Sequence, residues 1–233
     1  MAAIPFKLKV EGLGKSFTLH NRGGARVRGF ADVGFSLNRG QLLALTGPSG
    51  AGKSSVLRTI YRTYLADSGH VWFRRGDGTE VDLVCCPESR VLDLRRREIG
   101  FVTQFLKILP RVSALDAVAA PLIEIGTEEE EARERARAML ARLGIRPELF
   151  DLSPLTFSGG EQQRVNIARG IIAPKELILL DEPTASLDQK SAEVVLELLD
   201  DLKRRSIAMI AIFHDRRKIE TIGDIIVNIG RSN

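Results

Sequence analysis

Cysteine is almost missing from this chain. The two that occur, Cys85 and Cys86, are adjacent among 233 residues, so no framework of disulfides follows and the pair reads as reduced thiols in a cytoplasmic protein. Aromatic residues are scarce, at 6%. The basic clusters Arg95-Arg96-Arg97, Arg133/Arg135/Arg137, Arg204-Arg205 and Arg216-Arg217-Lys218 have no aromatics between them, so nucleic acid is not an expected partner. Arg133, Arg135 and Arg137 alternate with glutamates, as on a solvated helix face. An acidic protein surface is an equally fitting partner for the other clusters. Neither sign of charge dominates, with 34 basic against 30 acidic residues and a net charge of +4. No apolar run approaches the roughly 20 residues that cross a bilayer. Met1 to Val10 has no basic segment followed by an apolar core, so no secretion signal is visible. Direct membrane insertion is thus not expected, and any membrane contact would run through a partner.

What is present centres on Gly47-Pro48-Ser49-Gly50-Ala51-Gly52-Lys53-Ser54. It follows the apolar run Leu42-Leu43-Ala44-Leu45 and opens into a helical pattern. Gly, four residues, Gly, Lys, then Ser is the template of a phosphate-cradling loop. Its glycines let backbone N–H groups close on a triphosphate, and the helix behind them aims its dipole at the same anion. Lys53 would reach the β- and γ-phosphates, and the Ser54 hydroxyl would hold Mg²⁺.

Along the chain, residues 4–10, 15–20, 25–30 and 33–37 alternate as half-buried strands, with a hairpin turn at Asn21-Arg22-Gly23-Gly24. Strands are expected at 41–46, 70–73, 80–84, 99–102, 177–180, 207–213 and 225–229. Helices are expected from Lys53 to about Arg62, and at 87–97, 113–124, 127–143, 161–172 and 190–204. Thr127 and Glu130 have the spacing of a capping box for the 127–143 helix. Alternating strands and helices after the loop predict an α/β fold, a P-loop NTPase core with a mostly parallel sheet. An N-terminal antiparallel β subdomain and a helical lobe at about 106–165 complete a single domain spanning 1–233.

The second half of a nucleotide site should be acidic and end a buried strand. Leu177-Ile178-Leu179-Leu180-Asp181-Glu182 supplies it, with Asp181 for Mg²⁺ and Glu182 to polarise an attacking water. Ser158-Gly159-Gly160 opens a helix and forms a second anion nest. One triphosphate does not need both nests, so a head-to-tail pair is expected, in which the nest of one subunit closes on the γ-phosphate of the other. Gln104 ends a strand and can reach Mg²⁺ and the water. His214 can touch the γ-phosphate, and Ser186-Leu187-Asp188 would lie at the seam. Phe17 stacks on adenine or belongs to the core.

These residues resemble the ATP-binding-cassette ATPases over the whole chain: Gly47–Ser54, Gln104, Phe157–Val165, Leu177–Glu182, Ser186–Asp188 and His214, in the family's order. Phe157 stands where Leu is usual and Glu161 where Gln is common. Neither change removes a phosphate-binding backbone group. The resemblance implies ATP and Mg²⁺ as ligands, a second cassette, self or paralogue, as partner, and ATPase activity. Segments 61–69, 101–115, 156–170 and 213–215 look like the L subunit of the bacterial carbon–phosphorus lyase system. That likeness implies a cytoplasmic complex with other phosphonate-lyase subunits, supporting formation of α-D-ribose 1-methylphosphonate 5-triphosphate from ATP and methylphosphonate. The alternative is the ATPase subunit of a membrane exporter or lipoprotein-release transporter, whose cassettes share Ser-Gly-Gly-Glu-Gln-Gln-Arg. A cassette remodelling nucleic-acid or ribosomal assemblies fits less well, since the chain has neither a second cassette nor a long coiled-coil insertion.

Overall fold

The computed structural model describes residues 6–19, 24–108, 110–213 and 215–230. Strands β1 (Leu8–Leu19), β2 (Ala25–Leu37), β4 (Ser68–Arg74) and β5 (Glu80–Asp82) form an antiparallel sheet in the order β2-β1-β4-β5. Strands β3 (Leu42–Thr46), β6 (Ile99–Val102), β7 (Leu177–Asp181), β8 (Ala208–Ile212) and β9 (Ile225–Asn228) form a parallel sheet in the order β6-β7-β8-β3-β9. The helices are α1 (Lys53–Ile60), α2 (Glu88–Arg97), α3 (Ala114–Glu124), α4 (Glu129–Arg142), α5 (Gly159–Ile171), α6 (Gln189–Arg204) and α7 (Arg216–Ile222). The expected P-loop α/β architecture is the one found.

Strands β3, β6, β7 and β8 are short, apolar and largely buried on both faces, as strands covered from both sides must be, whereas the edge strand β9 alternates half-buried and exposed residues. Successive side chains alternate between faces. Leu42, Ala44, Ile178, Leu180, Met209 and Ala211 join one core with residues of α3 to α7. Leu43, Leu45, Leu177, Leu179, Ile210 and Ile212 join the other, with Val56, Leu57 and Ile60 of α1 and Leu8, Leu13, Phe30, Val71 and Phe73 of the antiparallel sheet. Burying each of the larger side chains contributes about 1.5–3 kcal/mol. The parallel sheet is therefore clamped between the antiparallel sheet and the helices, which fixes its carboxyl edge.

Two local expectations are corrected. The split of residues 25–37 into two strands fails because β2 runs through, with Asp32 at φ 51° and β1 paired to it across register shifts between Val10 and Ser16. A bulge of this kind bends a strand without ending it. The Thr127 cap also fails. The Thr127 N–H closes α3 on the Leu122 carbonyl at 3.0 Å. Helix α4 then starts a residue later, with the Glu128 carboxylate accepting from the N–H groups of Glu130 and Glu131 at 2.9 and 3.0 Å. Those bonds hold the Glu128 carboxyl below its usual range. Helix α7 stands where the sequence shows only a basic cluster. Residues 21–23 of the expected hairpin turn lie outside the described residues, and Leu19 pairs with Ala25 across it.

Candidate functional site

The parallel sheet brings four chain segments to its carboxyl edge: the loop after β3, the segments after β6 and β8, and the acidic pair ending β7. In an open α/β sheet that edge is where ligands bind. The loop Gly47–Gly52 turns through left-handed backbone, with Gly47, Gly50 and Gly52 at φ 136°, 76° and 94°. A Cβ on Gly52 would stand 2.3 Å from the Gly29 carbonyl oxygen, and one on Gly47 would stand 2.4 Å from that of Ile229. The glycines are thus fixed by contacts on the protein side, and Pro48, Ser49 and Gly50 face outward while Ala51 is buried. Lys53 is buried and its ammonium donates to the carbonyls of Gly47 and Pro48 at 2.8 and 2.9 Å. The cation is held at the mouth of the loop, within reach of anything the loop cradles.

One residue on, the Ser54 hydroxyl donates to Oδ1 of Asp181 at 2.8 Å. Asp181 is fully buried, with the Arg58 guanidinium 3.8 Å from its Oδ2. Ser54 and Arg58 are a helical turn apart on α1, which places both over the same carboxylate. A hydroxyl and a carboxylate oxygen side by side are hard donors of the kind Mg²⁺ takes, usually with waters and substrate phosphates completing its shell. The donor set fits that ion.

Glu182 follows with φ 55°. This strained, left-handed backbone turns its side chain away from that of Asp181. Its Oε2 accepts from the Gln104 side-chain amide at 3.1 Å. Gln104 is thus brought against Glu182, while Ser54 is brought against Asp181. Asn166 of α5 donates to the Thr103 carbonyl at 2.5 Å, anchoring the chain just before Gln104. Gln163 of the same helix donates to the Pro183 carbonyl at 3.3 Å. His214 lies outside the described residues.

The Ser158-Gly159-Gly160 turn is built separately. Ser158 caps α5: its hydroxyl donates to the Glu161 carboxylate at 2.7 Å, and its backbone N–H does so at 3.0 Å. Those two bonds hold the Glu161 carboxyl below its usual range. Ser158 and Gly159 are exposed, and a Cβ on Gly159 would meet open space. Gly160 is close to the Ser186 carbonyl, 3.2 Å from where a Cβ would stand. Arg164 donates to the Ser191 hydroxyl at 2.8 Å, and that hydroxyl donates to Asp188 at 3.0 Å. Asp188 also accepts from the Ser191 N–H at 2.9 Å and so caps α6. These bonds, the backbone one foremost, hold its carboxyl low. The nest and the seam loop of one chain form a single outward-facing unit.

Phe17 is half-buried. Its ring lies over the Gly29 backbone, where a Cβ would come within 2.6 Å of it, and it meets Tyr64 edge to face at 5.2 Å. Gly29 is the residue against which Gly52 packs, so the ring stands beside the phosphate loop. Arg58, Gln163, Arg164 and Ser191 carry contacts that the motif pattern did not assign. The signal available for Arg58 was its spacing of four from Ser54. None was available for Ser191.

With that geometry established, the chain compares with known proteins as follows. Residues 30–185 match the model of the family described as ABC transporter. Over 214 residues the chain is 33% identical to the lipoprotein-releasing system ATP-binding protein LolD of Legionella pneumophila (strain Paris), covering 91% of this chain and 92% of that one. It is 35% identical over 195 residues to the macrolide export ATP-binding/permease protein MacB of Bartonella henselae, covering 84% of this chain and 29% of that protein. The solved dimeric, post-hydrolysis structure of the ATP-binding cassette MJ0796, bound to ADP and Pi, superposes with a TM-score of 0.86 at 27% identity, covering 97% of each chain. These relatives overturn the phosphonate reading. The carbon–phosphorus lyase likeness, and with it the phosphonate-lyase partners and the ribose triphosphate product, is withdrawn. The segments that carried it hold Gln104, the Ser158–Arg164 turn and position 214, whose chemistry any cassette handling ATP requires.

Proposed function

The chain belongs to the ABC transporter family, and on that premise we propose that it is the ATP-hydrolysing cassette of a membrane exporter or lipoprotein-release transporter. The observation that carries the catalytic half is the pairing at the sheet edge, Ser54 on Asp181 and Gln104 on Glu182. The transporter half is supported by likeness to LolD over nine-tenths of both chains. We read residues 1–233 as one cassette, with about 106–165 as its helical lobe, working on the cytoplasmic side of a membrane.

ATP is the substrate. Backbone N–H groups of Gly47 to Ser54 cradle its phosphates, and Phe17 supports the base. Lys53 exchanges its loop carbonyls for β- and γ-phosphate oxygens, which strengthens its hydrogen bonds because both partners are then charged. Ser54 and Asp181 would hold Mg²⁺, which would supply neutralisation of phosphate charge. Glu182 accepts a proton from the attacking water, and Gln104 orients that carboxylate and the water. His214 is assigned to the γ-phosphate. The exposed Ser158-Gly159-Gly160 nest closes on the γ-phosphate held by a second cassette, and Asp188 positions the seam loop beside it. Closure and reopening of this pair drive the membrane subunits. Among the described residues no helix is long and apolar enough to cross a membrane.

The test is affinity purification of the tagged chain from detergent-solubilised membranes of its native cells. A membrane-embedded subunit should co-purify in stoichiometric amount and raise the ATPase rate. Recovery with soluble proteins alone would overturn the transporter reading.

A further inference from the structure

One chemistry-bearing cluster stands apart from the carboxyl edge of the parallel sheet, on the antiparallel sheet. His70 lies in β4, Asp82 ends β5, and Cys85 follows in the next turn. We propose that His70, Asp82 and Cys85 bind one borderline-soft divalent cation of the Zn²⁺ class, distinct from the hard-donor site of Ser54 and Asp181.

One ligand atom from each residue, a ring nitrogen, a carboxylate oxygen and a sulfur, lies within 4.8 Å of the other two. Among the described residues this is the single His, Cys, Asp or Glu group so arranged. A mixed nitrogen, oxygen and sulfur set is what Zn²⁺ takes, with water completing four-coordination.

The backbone holds the three in place. Asp82 pairs with Trp72 across the β4–β5 ladder, two residues from His70. Leu83 is buried and its N–H donates to the Val71 carbonyl at 2.8 Å. The N–H groups of Cys85 and Cys86 then turn back onto the Asp82 carbonyl at 3.3 and 3.0 Å. That turn brings the Cys85 side chain to Asp82.

Supporting contacts orient the ligands, as metal sites require. Asp82 Oδ1 accepts the N–H groups of Val71 and Val84 at 3.2 and 3.0 Å, leaving Oδ2 at 2.7 Å from His70 Nδ1. The His70 ring stacks on Trp72 at 5.6 Å and 22°, and the Trp72 indole N–H donates to Glu11 at 3.0 Å. His70 and Cys85 are exposed, so both can adjust to an ion. Cys86 is half-buried, with its sulfur directed to the Leu83 carbonyl at 3.9 Å, and is not a ligand.

An ion bound here would displace the Cys85 thiol proton, so that carboxylate and thiolate together face it, while the Arg62 guanidinium, which donates to the Cys86 carbonyl at 3.4 Å, is a nearby opposing charge.

The experiment titrates the full chain, without nucleotide, first with Zn²⁺ and then with Co²⁺ as a spectroscopic probe. One equivalent should bind, and the Co²⁺ form should show a thiolate-to-metal charge-transfer band. Cys85→Ser and His70→Gln should each weaken binding at least about tenfold, and Cys85→Ser should abolish the band. Cys86→Ser should change neither. Circular dichroism of each variant checks that the fold is kept. Binding that survives both Cys85→Ser and His70→Gln, a band lost in Cys86→Ser, or a wild-type Co²⁺ spectrum without the band would overturn the proposal.

Discussion

Glu182 and Lys53 make different demands on the chemistry, and replacing them separates the demands. Glu182→Gln keeps the side chain's size and its place beside Gln104 but cannot take a proton. ATP affinity should stay within about twofold while hydrolysis slows by about 10²–10⁴, the usual contribution of a positioned base. Single-turnover hydrolysis at an unchanged rate would remove Glu182 from the reaction. Under the role proposed for Lys53, Lys53→Ala would remove charged hydrogen bonds to the phosphates, each worth about 1.5–3 kcal/mol. Nucleotide titration should show affinity lowered at least about tenfold.

Lys175 offers a residue-scale test of the fold. Burial lowers its ammonium to about 8, from an ordinary 10.5, although it donates to the Arg95 and Arg96 carbonyls at 2.9 and 2.5 Å. Between those two values the unfolded chain holds more protons than the folded one, so stability rises with pH across that window. Below pH 8 both states are protonated and the full cost of burial stands. Denaturant unfolding should therefore show wild type gaining on Lys175→Met as pH rises from about 8 to 10.5. A constant difference would contradict the burial of that charge.

At the scale of elements, the phosphate loop is held by β2 as much as by β3. Gly52→Ala forces a side chain into the Gly29 carbonyl at φ 94°. The strain should cost at least about 1–3 kcal/mol, read as a lowered urea midpoint, even though Ala is the better helix former. The strand, loop and helix around residues 42–60 were legible because glycine spacing and apolar runs encode them directly. So was β7 with its acidic end. The start of α4 was not, because Thr127 is spent on closing α3, a contact that local spacing does not reveal. The continuity of β2 was hidden by Asp32, whose left-handed backbone falls where the pairing of β2 with β1 shifts register, a tertiary feature that local spacing does not reveal. Helix α7 was missed because a seven-residue element carries too few periods. The Arg164–Ser191–Asp188 chain required a side-chain contact between α5 and the start of α6, residues 27 apart in sequence.

For the whole molecule, nucleotide chemistry was legible and the partner was not. The residues that bind phosphate are dictated by phosphate, so they recur in cassettes with unrelated duties. The segments that pointed to phosphonate chemistry were of this shared kind. Under the transporter reading proposed above, a membrane partner would be selected by exposed surface such as Phe105, 69% exposed just beyond Gln104, where no reaction restricts the residue type. The central claim is that the Gly47–Ser54 loop is half a site, completed by Ser158-Gly159-Gly160 of a second cassette. Two exposed nests on one chain make the claim directly measurable. The molar mass of Glu182→Gln, by light scattering with and without saturating ATP and Mg²⁺, tests it. The mass of a monomer without nucleotide should double on adding ATP, and the Ser158→Glu change should prevent the doubling by placing a carboxylate against the γ-phosphate. A Glu182→Gln protein that binds ATP and remains a monomer would contradict it.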